Sequence, residues 1–517
     1  MQETVMAEYL MGIDLGSTSI KAIVYDLDGR AVATGSRPTK LTRPEENPDW
    51  AVWMPEDIWG GAADAVRDAV AQLADGPGSV RGVAVTGMGM DGLPIGPDGE
   101  WLYPLISWHD GRTGPQFKWW QENVTCEKTF SIGGNPVWPI NSAMRLRWMM
   151  ENEPEILERA EKWLLIEDFV NFMLCGRKAT DYSMASCVAL FDQVNKCWSQ
   201  ELLDLSGIDG RLLPEPLPSG TPLGEVTREA AARTGLNEGT PVILGGHDHL
   251  CGALPVGAFR EGVALNVTGT WEMILTPTAT PRLDPELMAI GMTVQSHVAP
   301  EMSTIWGGNP SADMVEWFRA QFGHEARYRA DNEGGSEWDH LIDAAKAAPA
   351  GSRGIMFLPH MSAASCPMID DRSRGALLGL TGRAEAGDVL RAIIEGLCYQ
   401  YNDMLTALES GLKLRLDRCV TVGGVTRNQL WQQIKADVIG RPVEVPDVEE
   451  ATPLGCAILA GLGVGLYDNV AAAFERVSRP GKTYYPRDEN AAAYEKGFNL
   501  YQEIYPATKP IHHRIEG

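Results

Sequence analysis

The sequence predicts an α/β protein built from two large domains that face each other across a cleft. Three observations lead there. The 517-residue chain is too long for one hydrophobic core, since cores stop growing beyond roughly 250–300 residues. Apolar runs of strand length alternate with longer stretches of helical pattern. A strand, a small turn of glycine and hydroxyl residues, and a second strand open each half, at residues 9–25 and again at 263–275. That repetition points to a duplicated architecture whose two turns look at one another.

In chain order, strands are expected at Tyr9–Ile13, Ile20–Tyr25 and, after the Asp28-Gly29 turn, Ala31–Ser36. A helix follows over Pro55–Leu73, with proline in its first turn as N-terminal geometry favours. Val80–Thr86 is a buried strand. Residues 110–240 read mainly as helix, including Met144–Asn152, Glu155–Arg159 and Leu165–Leu174, before a strand at Val242–Leu244. In the second half, Val263–Val267 and Trp271–Leu275 are strands around Thr268-Gly269-Thr270. Helices are expected at Ala312–Gln321, Glu337–Ala347, Ala386–Leu408, Asn428–Ile439, Pro453–Leu462 and Ala491–Ile504, with a strand at Cys419–Val422. The basic tail from Lys509 is expected to fray. No low-complexity segment or repeat of 20–50 residues interrupts the chain.

Composition narrows the function classes. A net charge of −25 argues against nucleic acid or an anionic membrane as partner, because phosphate backbones need clustered cations. The nine cysteines are an odd number with no Cys-x-x-Cys pair, the usage of reduced thiols in a cytoplasmic enzyme. Met1–Tyr9 has two glutamates and no apolar run, unlike a signal peptide. Ala451–Tyr467 is Gly-rich and short for a membrane span, and a buried helix fits it better. The sequence leaves a homodimer open.

The first turn holds the densest chemistry. Asp14, Gly16, Ser17, Thr18, Ser19 and Lys21 fall within eight residues. Glycine admits a ligand close to the backbone, successive N–H groups make an anion nest, and a lysine neutralises phosphate charge. An acid at the strand end can hold a metal ion through water. The alternative is an ordinary polar hairpin turn, so the partners of this motif must decide.

Those partners resemble the FGGY family of carbohydrate kinases, the relatives of xylulokinase and glycerol kinase. Gly375-Ala376-Leu377-Leu378-Gly379-Leu380, followed after seven residues by Asp388-Val389-Leu390-Arg391-Ala392-Ile393-Ile394-Glu395, is similar to that family's C-terminal signature. Ser142–Asn152 resembles its N-terminal signature, with Arg145 where lysine is usual. Phe357-Leu358-Pro359 and Pro367 resemble a further segment, in which Ala364-Ser365-Cys366 replaces the usual Glu-Arg-Thr. The resemblance runs from Met11 to about Tyr485 and implies an actin-like, ribonuclease-H-like ATPase fold. Its N-terminal, sugar-binding domain would span 1–257, its C-terminal, nucleotide-binding domain 258–485, and a helix and tail 486–517.

The resemblance also implies roles. Asp14 corresponds to the metal-associated acid, with Mg²⁺ as the ion. Ser17, Thr18 and Lys21 correspond to phosphate contacts, and Thr268, Gly269 and Thr270 to a second phosphate loop for ATP. Gly308, Gly423, Gly424 and Asn428 correspond to the nucleotide pocket, although turn chemistry alone also accounts for the glycines. Asp248, in Gly245-Gly246-His247-Asp248, holds the position of the catalytic base. A sugar hydroxyl attacks phosphorus only as a base accepts its proton; capping of the following helix is compatible with that role. His247 and His249 could be two metal ligands, but without a third they make a weak zinc signal. The preferred reading puts His249 in the sugar pocket and gives His247 a structural role.

Met88-Gly89-Met90-Asp91-Gly92 resembles the family's substrate loop, with Asp91 in place of the usual histidine. A carboxylate accepts hydrogen bonds from neighbouring hydroxyls, so Met90 and Asp91 are expected to meet the substrate, with a turn cap as the plain alternative for Asp91. Trp108-His109-Asp110-x-Arg112 resembles a Trp-Asn-Asp-x-Arg motif. Trp108 is expected against the carbon face of the sugar, and Arg112 either on substrate or paired with Asp110. The expected activity is ATP-dependent phosphorylation of a hydroxyl of a small free sugar or polyol, whether ketopentose, ketohexose, tetritol or pentitol. An actin-like ATPase and a catalytically silent sugar sensor are the rival readings.

Overall fold

The computed structural model describes residues 7–515. Most of the N-terminal stretch read as lacking an apolar leader therefore lies outside the described residues, as do the last two positions of the tail. The first domain is organised on a six-stranded sheet. Its strands are β1 (Tyr9–Leu15), β2 (Ser19–Asp26), β3 (Ala31–Pro38), β4 (Val80–Gly87), β5 (Pro222–Glu225) and β6 (Pro241–His247), in the order β5-β6-β4-β1-β2-β3. β1 runs antiparallel to β2 and parallel to β4, and β4 is parallel to β6. The central strands are apolar nearly throughout, as burial on both faces requires.

The second domain repeats the plan. β7 (Val263–Thr268), β8 (Trp271–Thr278), β9 (Thr293–Ser296), β10 (Ser303–Pro310), β11 (Arg418–Val422), β12 (Val443–Val445) and β13 (Lys482–Tyr484) form a sheet in the order β9-β10-β8-β7-β11-β12-β13. β7 pairs antiparallel with β8 and parallel with β11, which is parallel to β12. The two hairpins, β1–β2 and β7–β8, thus occupy equivalent places in two sheets of like topology, as the repeated sequence pattern predicts.

The helices used below are α1 (Pro55–Val70), α2 (Ser142–Asn152), α3 (Ile166–Cys175), α4 (Asp248–Ala253), α5 (Ala386–Leu412), α6 (Gln429–Ile439), α7 (Ala451–Gly463) and α8 (Asp488–His512). α1 packs on β2 and β3. α7 comes from the second half of the chain yet packs on β1, β4 and α4. The approach is at backbone distance: a Cβ on Gly12 would sit 2.0 Å from the Pro453 carbonyl oxygen, and one on Gly455 would sit 1.8 Å from that of Cys251. One apolar cluster consequently joins Leu10, Ile243 and Leu250 to Leu454, Ile458, Leu265 and Val420, welding the halves at the base of the cleft.

Two expectations need correction. The stretch 110–240 also contains short strands, and Lys162–Leu165 completes a small five-stranded sheet with Leu41–Thr42, Val52–Trp53, Gly92–Ile95 and Leu105–Ile106. The tail does not fray at Lys509. α8 continues to His512, which is buried, and the His513 Nε2 and the Tyr505 hydroxyl each lie 2.7 Å from Asp370 Oδ2. Asp370 is held down to about 2 by these partners against the opposing effect of burial. All nine cysteines are free. Among the described residues no helix is long and apolar enough to cross a membrane.

Candidate active site

The β1–β2 turn closes through Gly16 N–H donating to the Ser19 carbonyl at 3.2 Å, while Thr39 Oγ1 donates to the Gly16 carbonyl at 2.6 Å. This leaves the Ser17 and Thr18 hydroxyls exposed, as a phosphate loop requires. Asp14 stands opposite Lys21 in the hairpin register. Burial, then the charge of Asp248, push its carboxyl up to about 7, with Lys21 opposing. Lys21 is not free: its ammonium meets Glu450 Oε1 at 2.7 Å, at the start of α7.

Asp248 follows β6, where the chain has no room for side chains. A Cβ on Gly245 would lie 1.8 Å from the Val85 carbonyl oxygen, and one on Gly246 would lie 2.4 Å from Val298. The carboxylate is partly open, with 39% side-chain exposure. Despite desolvation, which opposes it, hydrogen bonding to His249 and the neighbouring imidazoles hold Asp248 below the ordinary carboxylate range, so it is ionised at neutral pH. His249 N–H donates to Oδ1 at 2.5 Å and its Nδ1 lies 3.3 Å away, while its buried Nε2 has no partner. Burial pushes His247 down to about 3, leaving it neutral. Donor atoms of His247, Asp248 and His249 lie within 4.8 Å of one another.

The substrate loop shows why two family motifs depart together. Asp91 and Arg145 form a buried ion pair at 3.2 Å, with side chains 0% and 1% exposed. Asp91 Oδ2 also accepts the Trp53 indole N–H at 2.7 Å. Arg145, on α2, donates in addition to the Met90 carbonyl, which takes a second bond from Ser142 Oγ at 2.6 Å. Met90 itself has φ +80°, a strained conformation for a side chain of this size. The guanidinium fork reaches both a carbonyl and a carboxylate, which a lysine's single ammonium does less well. Asp91 has no accessible surface, so the hydroxyl contact expected of it is not available in this arrangement; its carboxylate holds Trp53 and Arg145 instead.

Asp110 and Arg112 form a buried bidentate pair, both bonds 2.7 Å, and the guanidinium lies 3.8 Å from the Trp50 ring centroid. Arg112 therefore holds its loop. Trp108 is half-buried and stacks on His109 at 3.7 Å.

In the second domain, Thr268 is buried and Thr270 exposed, with Gly269 between them. Gly423 comes against this loop: its φ is +104°, and a Cβ there would lie 2.1 Å from the Thr268 carbonyl oxygen. Gly424 faces open space and, with Val425, Asn428, Trp338 and Ile342, lines a groove of about 940 Å³. Asn428 caps α6 through Trp431 N–H at 3.2 Å. Gly308 departs from expectation. It is buried inside β10, where a Cβ would lie 2.8 Å from the Glu272 carbonyl oxygen, so strand packing accounts for it.

A pair the sequence reading missed lies beneath this loop. Lys435 Nζ meets Glu272 Oε1 at 2.6 Å, both side chains being 0% exposed, and also donates to Asn266. The signal was available: Glu272 is the one acid in the apolar run Trp271–Leu275, and Lys435 follows Ile434 on a core helix.

Two turns of glycine and hydroxyl residues in equivalent hairpins, an ionised carboxylate at a strand end and a groove beside the second turn sit on a two-domain fold of the actin-like ATPase class. The models of the FGGY family of carbohydrate kinases match residues 9–255 (N-terminal domain) and 264–464 (C-terminal domain). The chain belongs to this family: it is a carbohydrate kinase, transferring a phosphoryl group to an alcohol acceptor. It is 30% identical to the L-fuculokinase of Escherichia coli (strain K12) over 489 residues, 93% of this chain and 98% of that one. It is 28% identical to an autoinducer-2 kinase of Salmonella choleraesuis (strain SC-B67), covering 97% and 95%. The crystal structure of xylulose kinase from Rhodospirillum rubrum superimposes with a TM-score of 0.87 at 27% identity, covering 98% of this chain and 100% of that one.

Proposed function

We propose that the protein transfers the γ-phosphoryl group of Mg·ATP to a hydroxyl of a free ketose of five or six carbons. The observation that carries this reading is Asp248: an ionised, partly open carboxylate at the end of β6, beside Asp14 and the unpartnered Nε2 of His249. As the sugar oxygen bonds to the γ-phosphorus, its proton passes to Asp248. The bond from that phosphorus to the bridging oxygen breaks, and ADP departs. Ser17, Thr18 and Thr270 offer exposed hydroxyls to the phosphates, and the groove beside Gly424 accommodates adenosine. His249, Trp108 and Met90 shape the sugar side.

Asp14, with the charge of Asp248 beside it, offers the carboxylate oxygens that suit Mg²⁺; the ion would supply charge neutralisation on the transferring phosphoryl group. A ketose is favoured over a linear polyol because an L-fuculokinase and a xylulose kinase stand among the relatives. The free thiols fit a reducing, cytoplasmic setting. ADP release measured across a panel of ketopentoses, ketohexoses, pentitols and tetritols tests the substrate class, and strong turnover confined to polyols would overturn it. Asp248→Asn should lower kcat by on the order of 10²–10⁴ while ATP still binds; near-normal kcat in the folded variant would remove Asp248 as base.

A further inference from the structure

The amide of Gln295 is held in one orientation by two groups that cannot exchange roles. The Trp306 indole, a donor only, gives its Nε1–H to Gln295 Oε1 at 2.8 Å. The Ser183 carbonyl, an acceptor only, takes a hydrogen from Gln295 Nε2 at 2.6 Å. The second hydrogen of that nitrogen faces His247 Nδ1, 2.9 Å away, with Cys187 Sγ farther off at 3.6 Å from Nε2 and 3.5 Å from Nδ1; a thiol hydrogen given to Nδ1 leaves the same tautomer. An Nδ1 that accepts leaves the neutral imidazole its proton on Nε2, and this atom lies 3.7 Å from Asp248 Oδ1.

We infer that Gln295 and Trp306, on β9 and β10 of the second domain, are positioning residues that lock His247 as the Nε2–H tautomer and so present a fixed donor to the base in the first domain. The inference rests on the reading of Asp248 as that base. Two consequences follow. The imidazole has no lone pair toward Asp248 and cannot compete for the substrate proton, so the proton goes to the carboxylate alone. At 3.7 Å the Nε2–H dipole makes no hydrogen bond to Asp248 but favours its charged form through space, while the His249 N–H, at 2.5 Å, holds Oδ1. No proton moves along Trp306–Gln295–His247; its work is orientation. Because the locking amide and the imidazole it orients belong to different sheets, the tautomer is held only while β9 and β10 sit against the end of β6.

The tautomer is read directly by long-range ¹H–¹⁵N correlation of histidine-labelled protein, with the His247 signals assigned through a His247→Gln variant. The expected result is a pyridine-like Nδ1 and a pyrrole-like Nε2. The opposite pattern overturns the inference on the wild-type protein, and the only variant needed is the folded His247→Gln used for assignment. Gln295→Glu turns the donor into an acceptor and should shift the ring to Nδ1–H or to imidazolium, with a fall in kcat and little change in the KM for ATP. Gln295→Leu should leave the tautomers mixed and lower kcat between about threefold and tenfold, the worth of one orienting hydrogen bond. An unchanged His247 spectrum and unchanged kcat in folded Gln295→Leu would refute the relay. That outcome alongside an inactive Asp248→Asn removes only this inference, whereas an active Asp248→Asn removes the base assignment itself.

Discussion

Replacing Asp91 by alanine separates two accounts of the substrate loop. If the carboxylate met sugar hydroxyls, the variant would lose sugar affinity and keep its stability. The geometry makes the reverse prediction. Alanine leaves the Arg145 guanidinium, 1% exposed, without its counter-charge, and the Trp53 indole without its acceptor. Removing one partner of a buried ion pair costs about 3–5 kcal/mol. For a domain of this size that is a fall in Tm on the order of ten degrees. Because Arg145 also holds the Met90 carbonyl, the loop should relax and sugar kcat/KM fall as a secondary effect, with the KM for ATP unchanged. The second arm is Asp91→Leu combined with Arg145→Met, which removes both charges and should recover most of the lost stability. Calorimetry of the first-domain transition, with sugar kinetics on the same samples, reads both. An Asp91→Ala protein with wild-type Tm and a strongly raised sugar KM would refute the structural account and restore the direct contact.

With Asp14 raised to about 7, metal uptake at this carboxylate, as proposed, would release a proton. The folded, metal-free protein retains this proton between its unfolded pKa near 3.9 and pH 7, so its contribution to stability is lost as pH rises through 7. Mg²⁺ binding should expel about one proton at pH 6 and about none at pH 8.5, measured by calorimetry in buffers of different ionisation enthalpy; equal release at both would exclude Asp14. Gly424→Val should fold normally, since a Cβ there meets nothing within 4 Å, and raise the KM for ATP about tenfold or more without altering that for sugar. Lys435→Met strands Glu272 in the core and should cost about 3–5 kcal/mol, most of it regained with Glu272→Leu, as unfolding curves of the two variants would show.

Local pattern made the sheets and the two opening hairpins legible. Tyr9–Leu15 and Val263–Thr268 are apolar runs ended by glycine and hydroxyls, and that short-range chemistry fixes a hairpin whatever surrounds it. Gly245 and Gly246, which with the family resemblance drew the eye to Asp248, have a packing cause: the Val85 backbone crowds the first, and the Val298, Ser183 and Asp181 side chains crowd the second. What escaped the sequence is pairing across distance. Nothing near Asp91 signals Arg145, nothing near Gln295 signals His247, and no apolar pattern says that α7 crosses to the first sheet. The proline-containing tail invited a frayed end, yet His513 and Tyr505 find Asp370 from across the second domain. A hydrogen bond between remote residues has no periodicity, and only the folded chain supplies it.

The substrate loop shows how such a pairing bears on specificity. Asp91 and Arg145 are the two positions at which this chain departs from the family's loop and N-terminal signature, and they touch. An acid at 91 without a matched cation would be an uncompensated charge in a dry site, and burial would push its pKa upward. Even with Arg145 and Trp53 opposing it, burial holds Asp91 near 6. The pair therefore forms a unit in which neither member is neutral to change. By fixing the Met90 carbonyl and the left-handed backbone beneath it, this unit sets where the Gly89 backbone stands against His247 and Cys187 and where Met90 Sδ meets Asn141. On the proposed sugar site, selection among sugars would act through the shape of a loop held from behind, and a single exchange at Asp91 toward histidine would break the support before it could build a new contact.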